Sequence, residues 1–245
     1  LRCVFLHGVG EVNTSPPTPT DTDSYWGGSR KLSGFLGEAC NSTSFVHQDS
    51  TTRAWDDAEL QAAYCDAVVG AGGDLSASVD DALVVSHSMG NLIFADALRK
   101  GTCKLGPSSR WISLAAPWRG SKAAIFIEKL CLNATIFEAP LRWIAKEMNY
   151  CTTAPNGTHS INAAYVSLRP DNPALASGEL AEYAAAHVAA AQCGDSAYGL
   201  TSIYSLALES LAAVVGYGES NDGMVPISSC QIGGKNYSGN YSSNY

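Results

Sequence analysis

Basic residues are scarce in this sequence. Fifteen Lys and Arg stand against 23 Asp and Glu in 245 residues, a formal net charge of −8, and no basic block concentrates them. Phosphate contacts need clustered Lys and Arg, so nucleic acid is excluded as a partner. Long apolar runs are missing as well. None reaches the ~18 residues of a bilayer-crossing helix, so no transmembrane segment is expected. The absence of a CxxC pair or a Cys/His cluster removes a structural zinc site and a thioredoxin-like redox pair. The 23 glycines follow no repeat, which rules out a collagen-like chain, and 46% hydrophobic residues rule out a disordered one. What is left is a soluble globular chain with enough length for a large core in one or two domains.

Against these absences stand eight cysteines, at positions 3, 40, 65, 103, 131, 151, 193 and 230. Dispersed and even in number, they predict up to four disulfides and an oxidising compartment. Free buried thiols are the alternative, and sequence does not choose among on the order of a hundred pairings. Asn13, Asn41, Asn133, Asn156, Asn236 and Asn240 each open an N-x-S/T triplet without an intervening proline, which makes them N-glycosylation candidates. Together these features predict a secreted glycoprotein, with the lysosome as second choice. The chain opens directly in the apolar Arg2–Leu6, as a processed product would, and closes in a polar Ser/Asn/Tyr-rich stretch that reads as an exposed loop or tail.

Residues 2–6 predict a strand that runs into His7-Gly8-Val9-Gly10, followed by a polar loop with prolines at 16, 17 and 19. A helix over 29–39, a strand over 44–47 and a helix over 56–69 come next. The clearest unit is the buried-strand run 81–85, the turn Ser86-His87-Ser88-Met89-Gly90 and a helix over 91–100 that Gly101 ends. With a further strand over 111–115, this describes a right-handed crossover in a mostly parallel sheet. We therefore expect core from 1 to 120, a helical insertion or lid from 121 to 200, and returning core from 201 to 245. The insertion carries helices over 122–130 and 178–192. The apolar 202–215 is read as the late sheet strand that delivers an acid loop.

Ser88 is the candidate nucleophile. A catalytic serine needs its hydroxyl held clear of the sheet at a tight strand-to-helix turn, and small residues two positions away, here Ser86 and Gly90, let that turn close. A plain helix cap is the alternative reading of Ser88. The glycines of His7-Gly8-Val9-Gly10 let the backbone turn inward, so the Val9 N–H pairs with that of Met89 as an oxyanion hole; an ordinary glycine turn is the alternative. Asp222, in Asn221-Asp222-Gly223, is placed to orient a catalytic imidazole, or else forms a simple Asp-Gly turn. Asp195 and Asp171 are weaker candidates, and His87 is read as a packing residue beside the pocket.

His7-Gly8-Val9-Gly10, Ser86-His87-Ser88-Met89-Gly90 and Ser220-Asn221-Asp222-Gly223-Met224-Val225 together resemble the α/β-hydrolase superfamily, and within it secreted lipases of the bacterial true-lipase type. Ala116-Pro117-Trp118-Arg119-Gly120-Ser121 resembles a further segment of those lipases. Ser86 stands where their turn carries a first glycine. The resemblance implies an α/β fold, a mostly parallel α/β-hydrolase sheet with helices on both faces and a helical insertion or lid. It implies Ser88 as nucleophile, Val9 and Met89 as oxyanion donors, Asp222 as acid, small-molecule or lipid esters as substrates, and no cofactor or metal.

The family order is serine, acid, histidine. In this chain the last histidine is His187, ahead of Asp222. In the similar lipases the histidine comes after the Asn-Asp-Gly segment, about where this sequence stops. We therefore expect the base from beyond residue 245, carried on a second polypeptide fragment made by cleavage in the polar stretch or on a longer chain. Rescue by His187 or His159 requires unusual geometry. Acyl transfer, thioester or amide cleavage would use the same residues. An inactive binding or signalling module is the non-enzymatic alternative.

Overall fold

The computed structural model describes residues 1–22, 25–26, 39–70, 72–132, 149–198, 205–234 and 237. The expected helix over 29–39 lies, except for its last residue, outside them, as do Asn133, Asn236 and Asn240. The chain divides into two compact units, Leu1–Leu114 with Val188–Ala190, and Ala115–His187 with Ala191–Tyr245.

In the first unit the strands are β1 (Arg2–Leu6), β2 (Ser15–Thr18), β3 (Ser42–His47), β4 (Ser78–Val79), β5 (Ala82–His87), β6 (Lys104–Leu105) and β7 (Arg110–Leu114). Helices α1 (Ala58–Val69) and α2 (Met89–Lys100) connect them. The sheet runs β7-β5-β1-β3-β2, and β1 pairs in parallel with both β3 and β5, with Leu6 opposite Ser86. β5 pairs in parallel with β7, with His87 opposite Leu114. Cys3, Val4, Phe5 and Leu6 are all buried, as a central parallel strand covered on both faces requires. Phe5 stacks on Phe45 at 4.6 Å, and Cys3, Phe45 and Val85 complete that core.

The helices start and stop for local reasons. Asp57 caps α1 by accepting the Leu60 N–H at 2.9 Å. Gly101, at φ 77°, ends α2 behind Arg99 and Lys100. Buried Asp96 of α2 accepts from Gln61 of α1 at 2.8 Å and pairs with Lys100 at 2.7 Å, so the inward carboxylate is satisfied. The disulfide Cys65–Cys103 joins α1 to the segment after α2, and Cys3–Cys40 ties down β1. The proline-bearing loop contains a strand: Ser15–Thr18 runs antiparallel to β3 at the sheet edge, where proline's missing N–H costs no ladder bond.

The second unit holds α3 (Lys122–Leu132), the hairpin β8 (Cys151–Thr153) and β9 (His159–Ile161), and the short helices α4 (Ala163–Ser167) and α5 (Pro173–Ala176). Helix α6 (Glu179–His187), helix α7 (Ser205–Val215) and helix α8 (Ile227–Cys230) complete its helices. Cys131–Cys151 fastens the hairpin to α3, and Cys193–Cys230 joins the segment after Gln192 to α8. With all eight cysteines paired, the expected disulfide framework is present.

Two expectations are corrected. The helix expected over 178–192 stops at His187, and Ala190–Gln192 forms strand β10 instead. The Ala189 N–H donates to the Trp111 carbonyl at 2.8 Å, so the edge of β7 captures an alanine-rich stretch whose own preference is helical. The expected strand over 202–215 is helix α7 over Ser205–Val215, in which Ser205 and Leu211 are buried. Among the described residues no helix is long and apolar enough to cross a membrane, and no group of acidic, His or Cys side chains could hold a metal ion.

Candidate active site

Ser88 sits between the last residue of β5 and the first of α2 with φ 50° and ψ −129°, a backbone conformation that L-residues rarely adopt. Its side chain caps no helix amide and has no hydrogen-bond partner among the described residues, so the helix-cap alternative is not realised. The turn is held from behind. The Ser88 N–H donates to the Leu114 carbonyl at 2.9 Å. Fully buried Asn91 sends its amide N–H groups to the carbonyls of Ser86, Ser88 and Leu114 at 3.2, 3.0 and 3.1 Å. Ser86 donates its hydroxyl to Asn91 Oδ1 and accepts from Trp111 Nε1 at 2.6 Å. The serine that replaces the usual first glycine therefore links the turn to β7.

Gly90 explains the tightness on the other side. A Cβ built there would lie 2.3 Å from the His7 carbonyl oxygen and 2.9 Å from that of Leu6, so only glycine lets α2 approach the end of β1. The same closeness brings the glycine loop to Ser88, since a Cβ on Gly8 would lie 2.6 Å from the Ser88 Cβ.

The peptide planes of that loop are fixed by buried side chains. Tyr64 donates to the His7 carbonyl at 2.8 Å, and Ser50 donates to the Gly8 carbonyl at 2.7 Å. The Gln48 N–H donates to His7 Nε2 at 3.2 Å, which leaves the proton on Nδ1, 2.8 Å from the same Gly8 carbonyl. In a trans peptide the N–H points opposite to the C=O, so holding the Gly8 carbonyl aims the Val9 N–H away from Ser50 and His7. Met89 opens α2, where an N–H has no carbonyl four residues behind it within the helix. The first unit thus brings together Ser88, Met89 and the loop that carries Val9.

Asp222 is built in the second unit. Its Oδ1 accepts the Met224 and Val225 N–H groups at 2.9 and 2.7 Å. Burial pushes the carboxyl pKa up, and those two amides oppose the shift. Tyr217 donates to the Met224 carbonyl at 2.7 Å, and the Ser121 hydroxyl contacts the same oxygen. A Cβ on Gly194 would lie 2.6 Å from the Asp222 Cβ, and Cys193 beside it is bonded to Cys230. Asp222 thus abuts the carboxyl end of β10, two residues beyond Gln192, although helix α7 precedes it in sequence. Asp195 and Asp171 lie on exposed loops, and Asp171 is spent on Arg169 at 2.7 Å.

The five histidines are engaged elsewhere. His47 bonds Thr18 at 2.7 Å, His87 bonds Tyr25 at 2.6 Å, His159 bonds Thr153 at 2.9 Å and His187 bonds the Tyr183 carbonyl at 2.7 Å. Neither His159 nor His187 touches Asp222, whose described partners are backbone amides. Burial lowers the His87 pKa to about 4, so its ring is neutral near neutral pH. Sequence reading missed Tyr25, Ser50, Tyr64, Asn91, Trp111, Ser121, Gly194 and Tyr217. Asn91 alone carried a signal, as a polar residue on the buried face of α2.

No family model and no curated protein matches this sequence. Solved structures do resemble it. Bacillus licheniformis lipase BlEst2 in its mature form superimposes with a TM-score of 0.59 at 17% identity, over 95% of this chain and 79% of that one. The metagenomic carboxyl esterase MGS0156 gives 0.55 at 16% identity, over 95% of this chain and 60% of that one. Phospholipase PlaB from Legionella pneumophila gives 0.52 at 15% identity, over 94% of this chain and 46% of that one. At such identities the likeness carries the fold: this chain has the α/β-hydrolase fold, a mostly parallel sheet with helices on both faces, and resembles bacterial lipases and esterases in structure.

Proposed function

We propose that this protein is a secreted serine hydrolase of carboxylic esters, lipid esters foremost, that works through an acyl-enzyme on Ser88. The carrying observation is the Ser88 turn itself: a strained φ of 50°, a hydroxyl uncommitted to helix capping, and the Val9-bearing loop packed against it. In this reading the Ser88 Oγ bonds to the acyl carbon while its proton passes to an imidazole. The carbonyl oxygen takes the negative charge toward the Val9 and Met89 N–H groups. The imidazolium then protonates the leaving alkoxide, and water repeats the sequence to release the acid. Asp222 holds the imidazole in its productive tautomer.

The histidine comes from beyond residue 245. What supports this is the engagement of all five histidines within 1–245 and a half-buried Asp222 carboxylate whose hydrogen-bond donors among the described residues are backbone amides. Four disulfides and exposed Asn13, Asn41 and Asn156 support a secreted glycoprotein.

The test is labelling of natively purified protein with a fluorophosphonate probe, followed by peptide mapping, with Ser88→Ala as control. Label on Ser88 supports the reading, and intact mass before and after reduction then shows whether a histidine-bearing fragment is attached. Folded full-length protein that takes no label overturns the hydrolase mechanism and leaves the binding-module alternative.

A further inference from the structure

Gly8 is gripped on both of its peptide groups, and the second grip has a feature the ester chemistry does not by itself require. Its carbonyl is held by Ser50 and His7, as described. Its N–H donates to the Tyr25 hydroxyl at 2.8 Å, and that hydroxyl stands 2.6 Å from His87 Nδ1. A backbone N–H only donates, so the Tyr25 oxygen accepts from Gly8; with the His87 ring proton on Nε2, the Tyr25 O–H donates to Nδ1. This requires Nδ1 to be bare, which suits a ring that burial keeps neutral. His87 is also the residue immediately before Ser88. A chain of two hydrogen bonds therefore runs from the nucleophile turn, through Tyr25, to the loop that carries Val9. The rings are packed to match: Tyr25 and His87 meet edge-on at 5.6 Å, and Trp26 meets His87 at 6.0 Å. The Trp26 backbone N–H donates in turn to the Asp21 carboxylate at 2.9 Å.

Resting on the ester-hydrolase reading, we propose that Tyr25 and His87 are positioning residues for the reaction, a tyrosine–histidine strap that sets the Gly8–Val9 backbone against Ser88. Neither touches the reacting atoms. The strap fixes the distance between the oxyanion donor and the nucleophile, a quantity that matters in the transition state and little in substrate binding. It also explains why a histidine stands next to the nucleophile without serving as its base: its acceptor nitrogen is already used.

The test compares Tyr25→Phe, His87→Leu and His87→Asn in the full chain, on a short-chain p-nitrophenyl ester and on the rate of fluorophosphonate labelling. Asparagine places an acceptor oxygen near the Nδ1 position, and leucine does not. Tyr25→Phe and His87→Leu are expected to lower kcat by about tenfold or more with KM within about twofold, since an oxyanion donor is worth ~10²–10³ in kcat and the strap only aims one. His87→Asn is expected to recover most of what His87→Leu loses. The Gly8 amide resonance in ¹⁵N-labelled protein reports the same bond without turnover, and should move in Tyr25→Phe and His87→Leu. Equal kcat in His87→Leu and wild type, with Ser88 labelled in both, overturns the strap. So does a Gly8 resonance that ignores all three substitutions. Wild-type protein with the Gly8 shift pattern but no label on Ser88 overturns the hydrolase reading instead, and with it the catalytic purpose of the strap.

Discussion

Gly90→Ala sets two well-known effects against each other. Alanine is the better helix former, worth about 1 kcal/mol over glycine inside a helix, and Gly90 is the second residue of α2. Propensity alone therefore predicts a more stable protein. The new methyl, however, would stand 2.3 Å from the His7 carbonyl oxygen, 2.9 Å from the Leu6 oxygen and 3.1 Å from the His7 carbonyl carbon. Carbon and oxygen meet comfortably at about 3.3 Å or more, so about 1 Å of separation must be found. All three obstacles are backbone, in the last residue of β1 and the buried residue that follows it, and no side-chain rotamer relieves them. Overpacking of this kind costs about 1–3 kcal/mol, and a rigid obstacle belongs at the upper end. The net expectation is a loss of about 1–2 kcal/mol, or about 2–8 °C in Tm for a chain of this size. The displaced atoms also precede Gly8, so fluorophosphonate labelling of Ser88 should slow by about tenfold or more, because a 1 Å misplacement at a reacting centre is costly. Thermal unfolding followed by circular dichroism gives the first number and a labelling time course the second. A Tm at or above wild type would show that helix propensity wins and that the contact between α2 and β1 is looser than described.

Two further outcomes are expected. Partial burial raises the Asp222 carboxyl pKa above its ordinary value of 3.8, so the folded state holds the proton more tightly than the unfolded chain. Stability from this group is then lost as pH rises from the ordinary carboxylate range through the raised value. Asp222→Asn, which keeps an acceptor for Met224 and Val225, should melt higher than wild type at pH 7 and lose that advantage near pH 3.5, while ester hydrolysis is abolished. A lower melting point at pH 7 would mean that a donor holds the carboxylate and burial does not dominate. Replacing Cys193 and Cys230 by serine opens a loop of 37 residues and should cost about 3–4 kcal/mol by chain entropy, with hydrolysis falling as the Asp222 region loosens. An unchanged Tm would refute the claim that this bridge braces the acid loop.

The parts of the site legible in sequence were those written in consecutive residues. The turn around Ser88 needs a strand, small residues and a helix in immediate succession, and the glycines after β1 announce a close backbone approach. The supporting groups escaped because they come from distant elements that only the fold assembles: Trp111 from β7, Tyr64 from α1 and Ser50 from the segment after β3. The two misassigned segments fail for opposite reasons. Ala189-Ala190-Ala191-Gln192 has helical composition and is recruited as a strand by an open sheet edge. Helix α7, over Ser205–Val215, is apolar almost throughout, with Glu209 as its one charge, and so hides its 3.6-residue period. Asp222 was found by its neighbours Asn221 and Gly223, but its place at the end of β10 depends on Gly194, which no local pattern connects to it.

The four disulfides share an ordering that bears on how the chain is made. Cys3 pairs with Cys40, Cys65 with Cys103, Cys131 with Cys151 and Cys193 with Cys230, so each bridge closes before the next begins. As residues 1–245 emerge N-terminus first, the second cysteine of each pair meets, among these eight, a single unpaired thiol, and that thiol is its native partner. Bridges that form in order of appearance need no later exchange, and the slow reshuffling step that scrambled thiols impose is bypassed. Refolding of the whole reduced chain, where all eight thiols compete at once, forfeits that advantage, so yield should depend far more on an isomerase in the test tube than during synthesis.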